Sequence, residues 1–240
     1  MRIMAKELDF QALNERVRAA EADVCIHECC GQRFIGSGAK THTITIHGTP
    51  GNALGAYLDG AAIEVYGNAQ DAVGDTMNDG QIVIRGHAGD ALGYAMRGGR
   101  IFVQGDAGYR TGIHMKEYED KKPVIVIGGA AGSFLGEYQA GGTIVVLGLG
   151  VSVGQPPVGN FTGTGMHGGR IYIRTDNAPT GLPAQVMVEH ATAEDLQDIA
   201  ADIVAFAEFF EMDAEKLLAD KFYVLKPNAK NPYKQLYTAN

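Results

Sequence analysis

A glycine recurs every 19 residues through the middle of this chain, and this period limits the possible fold more than any other feature. The glycines that open successive units are Gly48, Gly67, Gly86, Gly105, Gly129 and Gly148. Further glycines follow three and seven residues later in most units. The middle of the chain therefore consists of repeated copies of one short unit.

Apolar residues keep the same period. Those fifteen residues into the units are Ile63, Ile82, Ile101 and Ile144, and those seventeen in are Val65, Ile84, Val103 and Val146. Ile44 and Ile46 extend both columns backwards, and Ile171 and Ile173 extend them forwards, which gives seven units. Alternating β-branched residues predict a short strand with one face inside. The residues between them, such as Val83 and Phe102, are then expected on an outer face where aspartate costs little.

One such unit cannot bury its own apolar face, so the units must stack and share a core. A unit of this length is about one circuit of a flattened coil, with each strand about 4.8 Å above its equivalent. The sequence predicts a mainly β protein, a single-stranded right-handed parallel β-helix of about seven coils of about 19 residues. Glycines then mark corners that need positive φ or close contact between coils. A leucine-rich repeat lacks support because its asparagine pattern is absent, and a hexapeptide helix needs another period.

Helical extensions are predicted at both ends of the coil. We expect an N-terminal helical cap over residues 1–28, the β-helix over 29–175, and a C-terminal turn, strand and helical extension over 176–240. The cap helix is placed at Lys6–Ala22. The second helix begins after the N-cap Thr192, and apolar residues to Phe222 continue it into a helical hairpin. Both extensions are expected to cover the open sheet edges.

The composition argues against several classes of function. The net charge of −8 disfavours nucleic acid and anionic membranes as partners, and no apolar run approaches the length of a membrane span. No signal peptide is recognised, so the cytoplasm is the expected location. The glycine segments lack the Gly-Lys-Ser/Thr of a phosphate loop, and no nucleophile constellation is found. We therefore expect no catalytic residues, no cofactor and no metal.

Three groups of side chains allow an alternative interpretation. Cys25, Cys29 and Cys30 are expected to be free structural thiols, although with His27 they could ligate zinc or an iron–sulfur cluster. We number each position in a unit by its offset from the glycine that opens the unit. The methionines at offset ten are interpreted as core residues, with a path for a soft metal ion as the alternative. They are Met77, Met96 and Met115.

Two outward columns of polar residues also recur with the period. Asn52, Asp71 and Asp90 share offset four, where stacked carboxylates require compensation by Arg33, Arg110 and solvent, or by a bound cation. Two interpretations stay open for the residues at offset eighteen: an ordinary polar column on the surface, or a strip that binds a partner. These are His47, Tyr66, Arg85 and Gln104.

The words between the glycines carry a specific resemblance. The chain resembles the GXGXG domain of the glutamate synthase large subunit over about Gly31 to Arg174. The motifs that carry the resemblance are GQRFIGSG, HGTPGNALGAYLDGA, GNAQD, DTMN, HMKEY and EYQAGG. The resemblance implies a right-handed β-helix without catalytic residues that spaces a glutaminase domain and a flavin-binding synthase barrel. Because both catalytic domains are missing, the chain is similar to a separately encoded third piece of a split enzyme. The implied partners are glutaminase-like and synthase-like subunits, and a homo-oligomer is also possible.

Two other functions are kept open. The same unit occurs in a β-helical subunit of formylmethanofuran dehydrogenase and its formyltransferase/hydrolase relatives, which makes a non-catalytic subunit of a one-carbon complex the first alternative. A free-standing structural β-helix is the second. Neighbouring genes for glutaminase-like and synthase-like proteins, or for molybdenum or tungsten dehydrogenase subunits, would separate these functions.

Insertions point to a partner interface. The period is interrupted by five extra residues within 114–123 and by eight within 151–161. Insertions in a solenoid leave it as loops, and such loops commonly bind partners. The candidate interface combines charged and aromatic side chains at the first insertion: Arg110, His114, Lys116, Glu117 and Tyr118.

Overall fold

A computed structural model describes residues 1–228 of the chain; the last part of the predicted C-terminal extension, 229–240, lies outside the described residues. The protein is mainly β, with 31% strand and 14% helix, and forms a parallel β-solenoid of about eight turns with about 19 residues per turn. The predicted fold class is therefore confirmed. The one additional turn comes from the N-terminal end.

Eleven strands of the described chain form one sheet in the order β1-β2-β3-β4-β5-β6-β7-β8-β9-β11-β10. The strands are β1 (Arg2–Met4), β2 (Val24–Cys30), β3 (Thr43–Thr49), β4 (Asp59–Tyr66), β5 (Asp79–Ile84), β6 (Arg100–Val103), β7 (Val124–Ile127), β8 (Ala140–Val146), β9 (Gly168–Arg174), β10 (Val186–His190) and β11 (Phe222–Pro227). The helices are α1 (Phe10–Arg18), α2 (Ala193–Phe209) and α3 (Ala214–Ala219).

The repeat period sets the strand register. Ile63 on β4 pairs with Ile82 on β5, and Ile82 pairs with Ile101 on β6. The column continues through Ile125 and Ile144 to Ile171, and each of these side chains is at most 1% exposed. The five extra residues leave the stack before β7 and do not disturb the register. Stacked β-branched side chains therefore form the core, as the sequence predicts.

The glycines have the two predicted uses. Gly93 has φ +67, and a Cβ there would lie 2.4 Å from Cδ1 of Ile125 in the following unit. Gly108 has no positive φ, but a Cβ would lie 2.2 Å from Oδ1 of Asp90 in the preceding coil. The first position needs glycine both for its conformation and for core space, and the second needs it only because two coils approach closely.

The N-terminal segment contains more than the predicted cap. Asp9 accepts a hydrogen bond from the backbone N–H of Ala12 and starts α1, which is shorter than the predicted helix. Leu13 and Val17 lie on its buried face. The segment 1–28 also holds β1 and most of β2; β1 pairs in parallel with β2, and β2 pairs in parallel with β3. The solenoid therefore begins before Cys29, which accounts for the extra turn.

The C-terminal segment contains the predicted strand, β10, and two successive helices, α2 and α3, but it departs from the prediction after α3. Thr192 and Asp195 form a capping box that starts α2, as the sequence indicates. Phe222, however, begins a strand rather than ending a helix, because β11 inserts antiparallel between β9 and β10. The last edge of the parallel sheet is thus paired with β11, and the expectation that helices cover it is wrong.

The outer face of the sheet corrects a second expectation. Val83 and Phe102 do point away from the solenoid core, but they are 2% and 0% exposed because α2 and α3 pack over this side. Phe206 of α2 approaches so closely that a Cβ on Gly128 would lie 2.9 Å from its Cζ atom. Aspartate at either outward position would bury an unpaired charge, so the prediction that it costs little is wrong.

Ion pairs surround this second core. Arg100 on β6 donates from Nε to Oδ1 of Asp202 on α2 over 2.7 Å. Arg170 on β9 contacts Asp195 and Asp198 at the start of the helix. Since the sheet supplies the cations and the helix supplies the carboxylates, these contacts fix α2 in one position on the sheet.

Candidate protein-docking face

At one corner of every coil the backbone has left-handed, positive φ values, and several of the residues there are not glycine. At offset five these include Ala91, Arg110 and Phe134, with φ values of 56°, 57° and 63°. At offset nine they include His114 and Tyr138, with φ values of 56° and 53°. Non-glycine residues with such φ values are uncommon and costly, so neighbouring coils must hold them.

Hydrogen bonds between coils hold this corner. The backbone N–H of Arg110 donates to the carbonyl of Ser133 in the next coil over 2.9 Å, and that of His114 donates to Glu137 over 2.9 Å. The intervening Gly112 donates in the opposite direction, to Leu92 of the preceding coil. The alternation turns the side chains at offsets five and nine away from the core.

Aromatic and cationic side chains stack along these two rows in the C-terminal half of the solenoid. The guanidinium of Arg110 lies 4.9 Å from the ring centroid of Phe134, which stacks on Phe161 at 4.9 Å. In the second row His114 stacks on Tyr138 at 5.2 Å and meets the edge of Tyr94 at 5.9 Å. We call this surface the aromatic face; its members are Tyr94, Arg110, His114, Phe134, Tyr138 and Phe161.

The aromatic face is ordered and yet open. Phe161 is 55% exposed and Tyr138 37%. The carboxylate of Glu137 accepts from Nε of Arg110 over 3.1 Å, which holds the guanidinium over the Phe134 ring. A Cβ at position 165 would lie 2.4 Å from the Tyr138 ring, so Gly165 leaves the space in which this ring lies. These side chains are therefore held in place before any partner arrives.

The first insertion lies beside this face. Lys116 continues the coil through its N–H, which donates to the carbonyl of Met96 over 3.0 Å. Tyr118 and Lys121 then close a tight turn, and the ammonium of Lys121 binds Asp79 at 3.1 Å. Lys116 and Tyr118 are exposed, with 51% exposure for the tyrosine.

The five predicted interface residues lie in three different environments in the structure. Arg110 and His114 belong to the aromatic face, and Lys116 and Tyr118 extend from the adjacent loop. Glu117 has an internal contact instead, because its Oε1 atom accepts from the backbone N–H of Gly142 over 3.1 Å. The sequence interpretation missed Tyr94, Phe134, Tyr138 and Phe161, although Phe134 and Phe161 share the repeat offset of Arg110, and Tyr138 shares that of His114.

Backbone N–H groups compensate the negative charge of the carboxylate column at offset four. Asp90 accepts from the N–H of Tyr109 over 2.8 Å, and Asp71 accepts from that of Asp90 over 2.9 Å. Each carboxylate therefore caps an amide of the next coil. The expected compensation by Arg33 does not occur: its guanidinium lies over the Phe10 ring at 4.8 Å.

The column at offset eighteen is a stack of rings. His47 stacks on Tyr66 at 4.9 Å, and Arg85 lies over the opposite side of that tyrosine at 4.8 Å. Arg85 also binds Glu64 and donates to the carbonyl of Phe209 at the end of α2. The Arg85 end of this column is thus engaged within the chain.

Strand β2 separates the three cysteines. Cys29 faces the core, and burial raises the pKa of its thiol to about 11, which makes it unreactive near neutral pH. Cys30 is exposed. Cys25 lies on the outer face with its Sγ 3.2 Å from Nε2 of His27. His47 of β3 completes a group whose candidate ligand atoms all lie within 4.8 Å of one another.

The fold and the aromatic face define a class, a parallel β-solenoid with glycines at the corners of its repeats and an exposed aromatic face. The chain belongs to the GXGXG motif family, whose model matches residues 7–230. It is 44% identical to uncharacterized protein MJ1350 of Methanocaldococcus jannaschii, over 98% of this chain and 95% of that protein.

A solved structure shares the fold. A chain of the formyltransferase/hydrolase complex of Methylorubrum extorquens, solved with methylofuran, matches with a TM-score of 0.64 and 20% identity. The match covers 85% of this chain and 72% of that one. At this identity the likeness concerns the fold. Across residues 1–228, none of the helices combines the length and apolarity that crossing a bilayer requires.

Proposed function

We propose that this chain is a non-catalytic architectural subunit of a glutamate synthase-type enzyme. In this role it holds a glutaminase-like unit and a flavin-binding synthase-like unit at a fixed spacing, in the cytoplasm. Membership of the GXGXG motif family supports the architectural part. The sequence words HMKEY and EYQAGG support the assignment to glutamate synthesis.

The observation that carries the proposal is the aromatic face. Tyrosine, phenylalanine and arginine are enriched in the centres of protein interfaces, where rigid rings contribute contact area at low entropic cost. Phe161, Tyr138 and the Arg110 side chain are each more than a third exposed, and the neighbouring stacks hold all three in place. A surface of this kind favours a protein partner over a small ligand.

The exposed loop at the first insertion extends the same surface. Lys116 and Tyr118 stand next to His114 in the chain, so one partner that covers the aromatic face can reach them too. Lys116 and Arg110 place positive charge on this surface, which favours acidic groups on the docking surface of the partner.

A second candidate is a non-catalytic subunit of a formyltransferase/hydrolase-type complex, and the solved-structure likeness favours it. The two candidates predict different partners for the same face. A free-standing structural solenoid predicts no partner at all.

Copurification from the source organism tests the proposal. A tagged copy of the full chain, expressed at native level, should retain glutaminase-like and flavin-binding synthase-like proteins in fixed stoichiometry. A parallel copy with His114→Ala and Tyr138→Ala should lose them, whereas Tyr57→Ala, a 56% exposed tyrosine in an early coil, should not. Recovery of formyltransferase-type subunits would support the second candidate, and recovery of no partner would contradict both.

The isolated chain should also lack the activity of the proposed assembly. Purified protein is expected to be colourless, to leave glutamine unhydrolysed, and to form no glutamate from glutamine and 2-oxoglutarate. A flavin absorption spectrum or measurable glutaminase activity would contradict the architectural role.

A further inference from the structure

The outer face of the sheet carries a second cluster of functional groups, far along the coil from the covering helices. Cys25 and His27 alternate with the buried Ile26 on β2, so both point outward. His47 projects from β3, and its ring stacks on His27 with centroids 4.7 Å apart. One thiol and two imidazoles from two coils thus meet at a half-buried surface.

A β-bulge creates this meeting. Residues 24–26 of β2 pair with β3 at a spacing of 20, whereas Cys29 and Cys30 pair at the usual 19. His27 and Glu28 together therefore oppose the single residue His47, and Glu28 has a left-handed φ of 54°. Without the bulge, Glu28 would occupy the place of His27. Bulges characteristically re-aim side chains in this way.

The distances suit a shared ligand. Sγ of Cys25 and Nε2 of His27 are 3.2 Å apart. Two ligands of a tetrahedral zinc ion, with Zn–S about 2.3 Å and Zn–N about 2.1 Å, lie roughly 3.5 Å apart. The third ligand atom lies within 4.8 Å of both.

The chemistry of the three side chains matches a thiophilic cation. A neutral imidazole offers a free lone pair to a cation. Thiolate and imidazole are ligands that zinc accepts and that magnesium and calcium do not prefer.

We propose that Cys25, His27 and His47 form a binding site for Zn²⁺ or a similar thiophilic cation, with a fourth position open to water. Binding releases the thiol proton and joins Sγ to the metal. The two imidazole planes are parallel within 12°, so one ion cannot lie in both planes. One ring turns about χ2, a broad torsion, when the ion enters. The ion then links β2 to β3 and stabilises the first coils. The alternative read from the sequence grouped Cys25 and His27 with Cys29 and Cys30, whereas the structure places His47 beside the first two.

Metal titration of the full-length protein tests this site. Reduced, chelator-treated protein should bind one Zn²⁺, measured by competition with a chromophoric chelator, and should not bind Mg²⁺. Co²⁺ should produce a thiolate-to-cobalt charge-transfer band. Cys25→Ser and His47→Asn should each weaken Zn²⁺ binding roughly a hundredfold or more, since even the loss of an outer contact to a metal ligand costs about 10–100-fold.

Cys30→Ser is the matched control, because it removes an exposed thiol from the same strand and should leave binding unchanged. Zn²⁺ should raise the melting temperature of the wild type and of Cys30→Ser but not of the other two variants. Absence of stoichiometric binding in the wild type, or undiminished binding in folded Cys25→Ser or His47→Asn, overturns the proposal. So does loss of binding in Cys30→Ser alone.

Discussion

The C-terminal half of the solenoid has two apolar outer surfaces, and the chain covers only one of them. The sheet side, with Phe102 and Tyr172, lies under α2 and α3 and is fully buried. The aromatic face at the left-handed corner has comparable side chains, yet Phe161 is 55% exposed. The first surface completes the fold, and we propose that the second binds another molecule.

The covered surface also differs from its own continuation towards the N-terminus. The outward column is apolar from Val83 onwards but polar before it, where its members are Cys25, Thr45 and Glu64. The helices end where the apolar side chains end. On the sheet side, coverage by the chain's own elements therefore follows the apolar content of each coil. The uncovered aromatic face is an exception, which the proposed partner would explain.

The largest effect is expected inside the covered surface. Phe102→Ala removes a fully buried ring between β6 and α2 and should lower the free energy of unfolding by about 3–5 kcal/mol. Thr45→Ala, at the equivalent outward position on β3, should change it by no more than about 0.5 kcal/mol. Urea denaturation followed by circular dichroism measures both. Similar losses for the two variants would mean that α2 does not cover the sheet in solution.

The capping box of α2 should make the covered surface sensitive to acid. Burial tends to raise the pKa of Asp195, but hydrogen bonds from the backbone and hydroxyl of Thr192 and from Lys226 outweigh it and leave the pKa lowered. A lowered folded-state pKa stabilises the protein above the unfolded pKa of about 3.9. This contribution is lost as the pH falls through the folded-state value.

Asp195→Asn should therefore cost about 1 kcal/mol at pH 7, and the difference from the wild type should shrink at acidic pH. Glu208→Gln, at an exposed position on the same helix, is the control. Denaturation midpoints at neutral and acidic pH give the comparison. A difference that stays constant down to strongly acidic pH would show that the carboxylate charge is not what matters.

A smaller effect on folding is expected on the aromatic face. Phe161→Ala removes an exposed ring whose main contact is the stack on Phe134, so unfolding should become easier by only about 0.5–1 kcal/mol. The left-handed backbone at this position is as costly for alanine as for phenylalanine and cancels in the comparison. A loss as large as that of Phe102→Ala, measured in the same urea titrations, would make the aromatic face part of the core.

The sequence predicts the solenoid because its signal is summed over many units. Ile82 or Ile101 alone would not define a strand face, but six residues in one column do. Coverage by α2 was missed because strand alternation assigns Val83 and Phe102 to the outside and says nothing of what lies there. Their apolar character was the available signal, since an exposed column of this kind needs a cover.

The candidate site was predicted only in part for a different reason. Arg110 and His114 were found because they lie next to an insertion, not because of their position in the repeat. The left-handed φ at offsets five and nine directs side chains outward, and neither strand nor helix periodicity encodes that conformation. The bulge at Glu28 similarly hid the meeting of His27 with His47, because it shifts the spacing between these coils from 19 to 20.

The contacts of the loop beside the aromatic face decide which loop variant tests partner binding without disturbing the fold. Replacing Lys116 to Tyr118 by alanine also removes the contact of Glu117 with Gly142, which is internal to the fold. Lys116→Ala with Tyr118→Ala leaves that contact intact. The double variant should therefore keep the wild-type melting temperature while it weakens partner binding.

Calorimetric titration with a purified glutaminase-like or synthase-like partner tests most directly whether the uncovered face is the docking site. We expect the wild type and Tyr57→Ala to bind with equal affinity. His114→Ala with Tyr138→Ala, and separately Lys116→Ala with Tyr118→Ala, should each bind at least about tenfold more weakly, a difference of about 1.4 kcal/mol. Unchanged affinity in both double variants, with the partner bound to the wild type, would contradict the account and place the interface elsewhere on the solenoid.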